Sequence, residues 1–185
     1  MKIKFIFFII YISILINLYS QKADSNLNSE ESPFPLGFLS IKLNMNKENV
    51  IVRLSKESIF DTSDQEKLSF RNEPDKEILK IRGINFIKMA YFHFYNDILF
   101  QITLDLDMNK ISYYDVLIKL QNKYGKPIKF TPETANWENN TIKLSLQRPV
   151  ILKYISINIS KELLEESKES SNFYKISREK FLNSL

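Results

Sequence analysis

His93 is the chain's only histidine and cysteine is absent, so any imidazole base, thiolate nucleophile or soft-metal site would have to be built around one side chain. It lies between Phe92 and Phe94, where an imidazole normally serves packing. A lone histidine without cysteine does not make a zinc or copper site, which draws on several N or S ligands. Asp105, Asp107 and Asn109 repeat the first half of a calcium loop, but Lys110 stands where glycine is required and Val116 where the bidentate glutamate belongs. Leu106 and Met108 fit strand positions, which makes these acids a solvated strand end. With Gly37, Gly83 and Gly125 as the only glycines, there is neither a nucleophile elbow nor a phosphate-cradling loop. The pair Glu165-Glu166 falls in a highly charged stretch and reads as a solvated face. No catalytic residue, metal site or cofactor is expected.

Two sets of side chains remain that could bind something. Tyr113, Tyr114, Tyr124, Trp137 and Tyr154 would line a cleft between helix and sheet for a small apolar ligand, or else form core and rim. Phe173, Ile176 and Phe181 recur at spacings of three and five in an otherwise polar C-terminal stretch. Such a stripe docks either on its own domain or in a partner's groove.

The elements that position these residues follow from periodicity and punctuation. Asn46 caps a helix over Lys47–Ser55, with Met45 and Val50 placed as a hydrophobic staple and Val50, Ile51 and Leu54 on one side. The charged stretch from Phe60 to Lys80, with Pro74 in it, reads as a long loop. Phe86–Tyr95 and Ile98–Asp107 flank Asn96-Asp97, a two-residue hairpin turn. Ile98, Phe100, Ile102, Leu104 and Leu106 then share one face. Pairing Tyr95 with Ile98 would set Ile87, Met89, Tyr91, His93 and Tyr95 against them. Ser112 and Asp115 open a second helix whose apolar face is Val116, Leu117, Leu120 and Tyr124, and Gly125 with Pro127 closes it. Strands follow around Trp137, over Thr141–Gln147 and over Val150–Ile159, and Ser160 opens a charged helical tail. The order suggests two rough copies of a helix-then-strands unit. The expected fold is α+β: one antiparallel sheet of about four to six strands with two helices on one face.

Ahead of that domain, Lys2 and Lys4 precede the apolar run Phe5–Leu18. Fourteen helical residues reach about 21 Å, short of the ~30 Å hydrocarbon core, and match the core of a signal peptide. The expected organisation is a signal peptide over 1–20, a disordered spacer over 21–35, the domain over 36–160 and an amphipathic tail over 161–185. An uncut leader over 5–18 would instead anchor the chain in the inner membrane. The whole chain carries 26 basic and 22 acidic residues, and removing the two leader lysines leaves a nearly even balance. That balance argues against a nucleic-acid partner. Without cysteine no disulfide can form, so the exported protein must rely on its core.

The segment Leu43-Asn44-Met45-Asn46-Lys47-Glu48-Asn49-Val50 resembles the "LGMSxxEV" helix start of small exported bacterial domains, found in BamE/SmpA-like lipoproteins and in the β-lactamase-inhibitor-protein-like fold. Phe92–Ile102 and Leu120–Pro127 look like its continuation, so the resemblance spans roughly Leu36–Ile159. Asn44 departs from the motif's glycine, and the lipidation cysteine is missing. The resemblance implies a small periplasmic or extracellular scaffold that contacts an envelope protein or outer-membrane component, and it carries over no catalytic residue. Membrane contact is expected only through an uncut leader. The reading from another class is a carrier of a small apolar ligand in the aromatic cleft.

The leader analysis makes a direct prediction. Mass spectrometry of the native protein should find its N-terminus between Gln21 and Asp24. An intact Met1 on a membrane-extracted protein would select the anchor instead.

Overall fold

In a computed structural model, which describes residues 34–70 and 73–184, the chain forms two four-stranded antiparallel meanders, each preceded by a helix, that share one continuous sheet. The leader, and the spacer up to Pro33, lie outside the described residues. A ribbon of β1 (Gly37–Phe38) and β2 (Ile41–Lys42) comes first, followed by α1 (Lys47–Leu54). The first meander is β3 (Phe60–Phe70), β4 (Glu73–Gly83), β5 (Ile87–Tyr95) and β6 (Ile98–Leu106). Then come α2 (Tyr113–Tyr124), the second meander of β7 (Lys129–Phe130), β8 (Thr134–Glu138), β9 (Ile142–Gln147) and β10 (Ile151–Ser156), and a final helix α3 (Ile157–Leu182). The strand order is β3-β4-β5-β6-β10-β9-β8-β7, so the last strands of the two meanders meet at the centre. The architecture is therefore an eight-stranded sheet, a two-stranded ribbon and three helices. The expected single sheet of four to six strands with two helices is corrected accordingly.

The largest correction is the stretch read as a loop. Phe60–Phe70 and Glu73–Gly83 pair as a hairpin. Charge along these residues suits the margin of a sheet, because β3 is the edge strand and edges are commonly defended by charged side chains. Leu79 and Ile81 of β4 are buried while Lys80 and Arg82 between and beyond them are not. Pro74 sits at the start of β4, where a missing donor is tolerated.

The second correction concerns the β5–β6 faces. Tyr95 does lie opposite Ile98, with Asn96 and Asp97 both at positive φ (49° and 60°) in the turn. The ladder then slips: Phe94 opposes Leu99 but His93 opposes Gln101, leaving Phe100 as an extra residue. A bulge of this kind exchanges the two faces of a strand beyond it. Phe92, Phe94, Leu99, Ile102 and Leu104 are buried, whereas Met89, Tyr91, His93, Tyr95, Ile98 and Phe100 are only half-buried. The expected core set on β5 was thus inverted everywhere except Ile87, which a second slip at Lys88 returns to the core.

Across the sheet the buried side chains form rows. Trp137, Leu144, Tyr154, Ile102, Phe92 and Leu79 are successive cross-strand partners, and so are Ala135, Leu146, Leu152, Leu104, Ala90 and Ile81. All twelve are buried. Cross-strand neighbours on one face are the contacts that stabilise a sheet. Val50 and Leu54 of α1 and Tyr113, Val116, Leu117 and Leu120 of α2 complete the same cluster.

Local chemistry fixes both helices. The side chain of Asn46 accepts from the backbone N–H of Asn49 at 3.0 Å, and Lys47 Nζ reaches Glu77 at 3.0 Å and Asp97 at 2.8 Å. Those two acids hold the Lys47 ammonium above its ordinary pKa, the Asp97 hydrogen bond contributing most. Asn44, just upstream, takes φ 66°, a left-handed conformation in which glycine is the default and asparagine tolerated. In α2 the Ser112 hydroxyl accepts from the Asp115 N–H at 3.1 Å while the Asp115 carboxylate takes the Ser112 N–H and hydroxyl, a complete capping box. Trp137 Nε1 donates to the carbonyl of Gly125 at 2.8 Å, tying the end of α2 to β8.

Leu120 is 8% exposed. Leu120→Ala should cost about 2–5 kcal/mol in chemical denaturation. Tyr114→Ala, at a position 66% exposed, should stay within ~0.5 kcal/mol. Similar small losses for both would place α2 on the sheet by a different face.

Candidate functional site

All but one of the aromatic set expected to line a cleft pack against the core. Tyr113, Trp137 and Tyr154 are buried, and Tyr124 packs half-buried against the same cluster. Phe34 covers Tyr124 with ring centroids 5.7 Å apart, and Phe38 covers Tyr154 at 6.3 Å. The Arg148 guanidinium lies 4.5 Å from the centre of the Tyr113 ring, whose buried hydroxyl has no hydrogen-bond partner among the described residues. Burial pushes both the Tyr113 and Tyr154 hydroxyls above their ordinary pKa. Tyr114 points to solvent.

The opposite face of the sheet carries the more open chemistry. Ile78, His93, Gln101, Ile155, Lys143 and Glu138 form one outer row of cross-strand partners. The first turns of α3 rise beside that row. Between them runs a groove of about 680 Å³, with Gln101, Lys143 and Ile155 on the sheet side and Ile157, Lys161 and Leu164 on the helix side. The helix starts at Ile157, three residues before the expected Ser160. Three alternate isoleucines, Ile155, Ile157 and Ile159, mimic a continuing strand, because β-branched residues favour strands over helices.

Among the described residues, only the base of α3 is held by the domain. Ile157, Ile159, Ser160 and Leu163 are half-buried, and the Tyr95 hydroxyl donates to the Glu166 carboxylate at 2.5 Å. That hydrogen bond, with some burial and the negative charge of Glu166, pushes the Tyr95 pKa up to about 12. Beyond Glu166 every described side chain of the helix is exposed. Phe173 is 74%, Ile176 57% and Phe181 63% exposed, with Tyr174 and Leu182 beside them. In this structure the stripe does not return to its own sheet. No helix among the described residues is long and apolar enough to cross a membrane.

The other residues singled out in the sequence have local roles. Asp107 accepts from the backbone N–H and the amide of Asn109 at 3.1 and 3.2 Å. Those bonds, the backbone one foremost, hold its carboxyl below the usual range. His93 meets Phe100 edge-on at 6.1 Å. Desolvation, and then the charge of Lys153, depress its pKa to about 4. The outer row and the Tyr95–Glu166 bond were not anticipated. The row's alternation was readable once the bulge is known, whereas nothing in the sequence signals a partner 71 residues away.

A domain of two helix-led meanders with a helix projecting from the outer face is a protein of the α+β class. The chain belongs to the TP0088 domain family, whose profile matches residues 36–166. No curated protein and no solved structure shows a significant match. The family match ends at Glu166, the last α3 residue seen bonded to the sheet.

The His93 environment gives a pH prediction. A histidine depressed to about 4 when folded and near 6.5 when unfolded binds its proton more readily in the unfolded chain. Its contribution to stability is therefore complete above about pH 6.5 and declines as pH falls toward 4. As the only histidine it gives a single NMR titration, expected to have its midpoint near 4. A midpoint near 6.5 would place the ring in solvent.

Proposed function

We propose that this is a non-catalytic exported protein of the periplasm or cell envelope that works by binding, through the projecting part of α3, to a protein or another envelope component. The observation that carries the reading is an unbroken helix whose base is docked on the sheet while Phe173, Ile176 and Phe181 stand uncovered. Exposed apolar side chains gathered on one element mark an interaction surface more often than chance. Support for export comes from the leader, with Lys2 and Lys4 ahead of Phe5–Leu18. The resemblance of Leu43–Val50 to exported bacterial scaffolds points the same way. The alternative, a carrier of a small apolar ligand, has less support because Tyr113, Trp137 and Tyr154 are packed against protein.

A chain ending at Glu166 tests the reading. Its thermal midpoint should match that of the intact protein, and the partner recovered from envelope extract by in-cell crosslinking should be lost. Retained capture would move the binding surface elsewhere. A midpoint lowered by more than about 8 °C, the shift expected from ~2 kcal/mol, would make the tail part of the core.

A further inference from the structure

Charge changes sign along α3 with distance from the sheet. Residues 161–169 hold Glu162, Glu165, Glu166 and Glu169 against Lys161 and Lys168, whereas residues 173–182 hold Lys175, Arg178 and Lys180 against Glu179 alone. The apolar residues of the projecting part fall in the same basic stretch. Phe173, Ser177 and Phe181 are spaced i, i+4, i+8 and so share one row, with Tyr174 and Ile176 on its flanks. Lys175 and Lys180 have no acidic partner among the described residues, and Arg178 meets only the exposed Glu179, at 3.3 Å.

Each of these features fits a lipid surface better than a protein groove. A groove that takes a helix selects large anchors along the centre of the buried row, yet the centre here is Ser177. Interfacial helices instead place aromatic and aliphatic side chains at the headgroup boundary and surround them with Lys and Arg. Tyrosine, apolar in body and polar at its tip, suits that boundary. Ten helical residues extend about 15 Å, enough to lie on a bilayer and far short of crossing it. The acidic base of α3, kept on the domain by Tyr95 and Glu166, would be repelled by the same surface and leaves only the tip to make contact.

Resting on the binding role proposed above, we propose that Phe173–Leu182 is a contact site for an anionic phospholipid bilayer, the Phe173–Phe181 row entering the headgroup boundary and Lys175, Arg178 and Lys180 meeting lipid phosphates. Attachment of this kind is reversible and salt-sensitive, since about one favourable kcal/mol, roughly five-fold, comes with each cation near the surface.

The absence of cysteine allows a clean test in the full chain. Ser177→Cys carries an environment-sensitive fluorophore into the middle of the row. With vesicles of phosphatidylglycerol and phosphatidylcholine its emission should shift to the blue, and with phosphatidylcholine alone it should not. Salt should reverse the shift, and Lys175→Glu with Arg178→Glu should weaken vesicle affinity more than ten-fold, in line with the ~five-fold per cation above. The leader is the same in the charge-reversed variant, so the affinity lost there reports on the tail and not on leader contact with lipid. No shift with anionic vesicles, or an equal shift with both kinds, overturns the lipid site. If that happens while the chain ending at Glu166 still loses its crosslinked partner, binding through the tail stands and its target is protein. If neither measurement responds to the tail, both proposals fail.

Discussion

Cohesion between the two halves of the domain depends on one strand pair, β6 with β10. Among the described residues, every other strand pairing joins neighbours in sequence. The central pair brings Leu104 opposite Leu152 and Ile102 opposite Tyr154 across the whole intervening meander. Closing so long a stretch of chain costs entropy that nearby contacts must offset. They do so because both buried rows run unbroken through the seam, one from Trp137 to Leu79 and the other from Ala135 to Ile81. Without the seam each meander would expose an apolar face and a strand edge, a marginal state for so few strands.

That seam also sorts the surface. With α1 and α2 joined to the buried rows, the outer face keeps alternating polar and half-buried residues, including His93, Gln101 and Lys143. The chain leaves β10 at Ser156 and turns at once into α3, with the Ile157 N–H donating to the Thr141 carbonyl at 2.9 Å. The projecting helix is thus mounted at the centre of the sheet, on the strand that holds the two meanders together, and not on a peripheral loop. A site on a regular element of this kind is held more firmly than one on a loop.

What could be read in the sequence was whatever short-range chemistry decides. Asn46, Ser112 with Asp115, and Gly125 mark helix ends through hydrogen bonds and a positive φ within a few residues, and Asn96-Asp97 marks a turn through two left-handed residues. The helix-then-strands repetition was legible for the same reason. What stayed hidden depends on partners that no local pattern names. Phe100 differs in no obvious way from Ile98 or Ile102 in an alternating strand, yet the ladder slips there and exchanges the faces of β5. The charges of β3 and β4 looked like a loop because composition does not announce that a strand will lie at a sheet margin. Trp137 and Tyr154 looked equally fit for a cleft or a core; Phe34 and Phe38, from a stretch with little pattern of its own, cover their neighbourhood. For the tail, the apolar spacing was legible but its docked base was not.

An isolated helix must first order a turn before any gain from its hydrogen bonds, and short segments in water rarely complete that step. The uncovered end of α3 is spared it. Ile157, Ile159 and Leu163 are already fixed against the sheet, so the turns beyond them extend an existing nucleus, one hydrogen bond per residue. Helicity in the tip is then a loan from the base, strongest beside Glu166 and fraying toward Leu182. Severed from the domain, the same residues would revert largely to coil, and whatever they bind would have to order them anew.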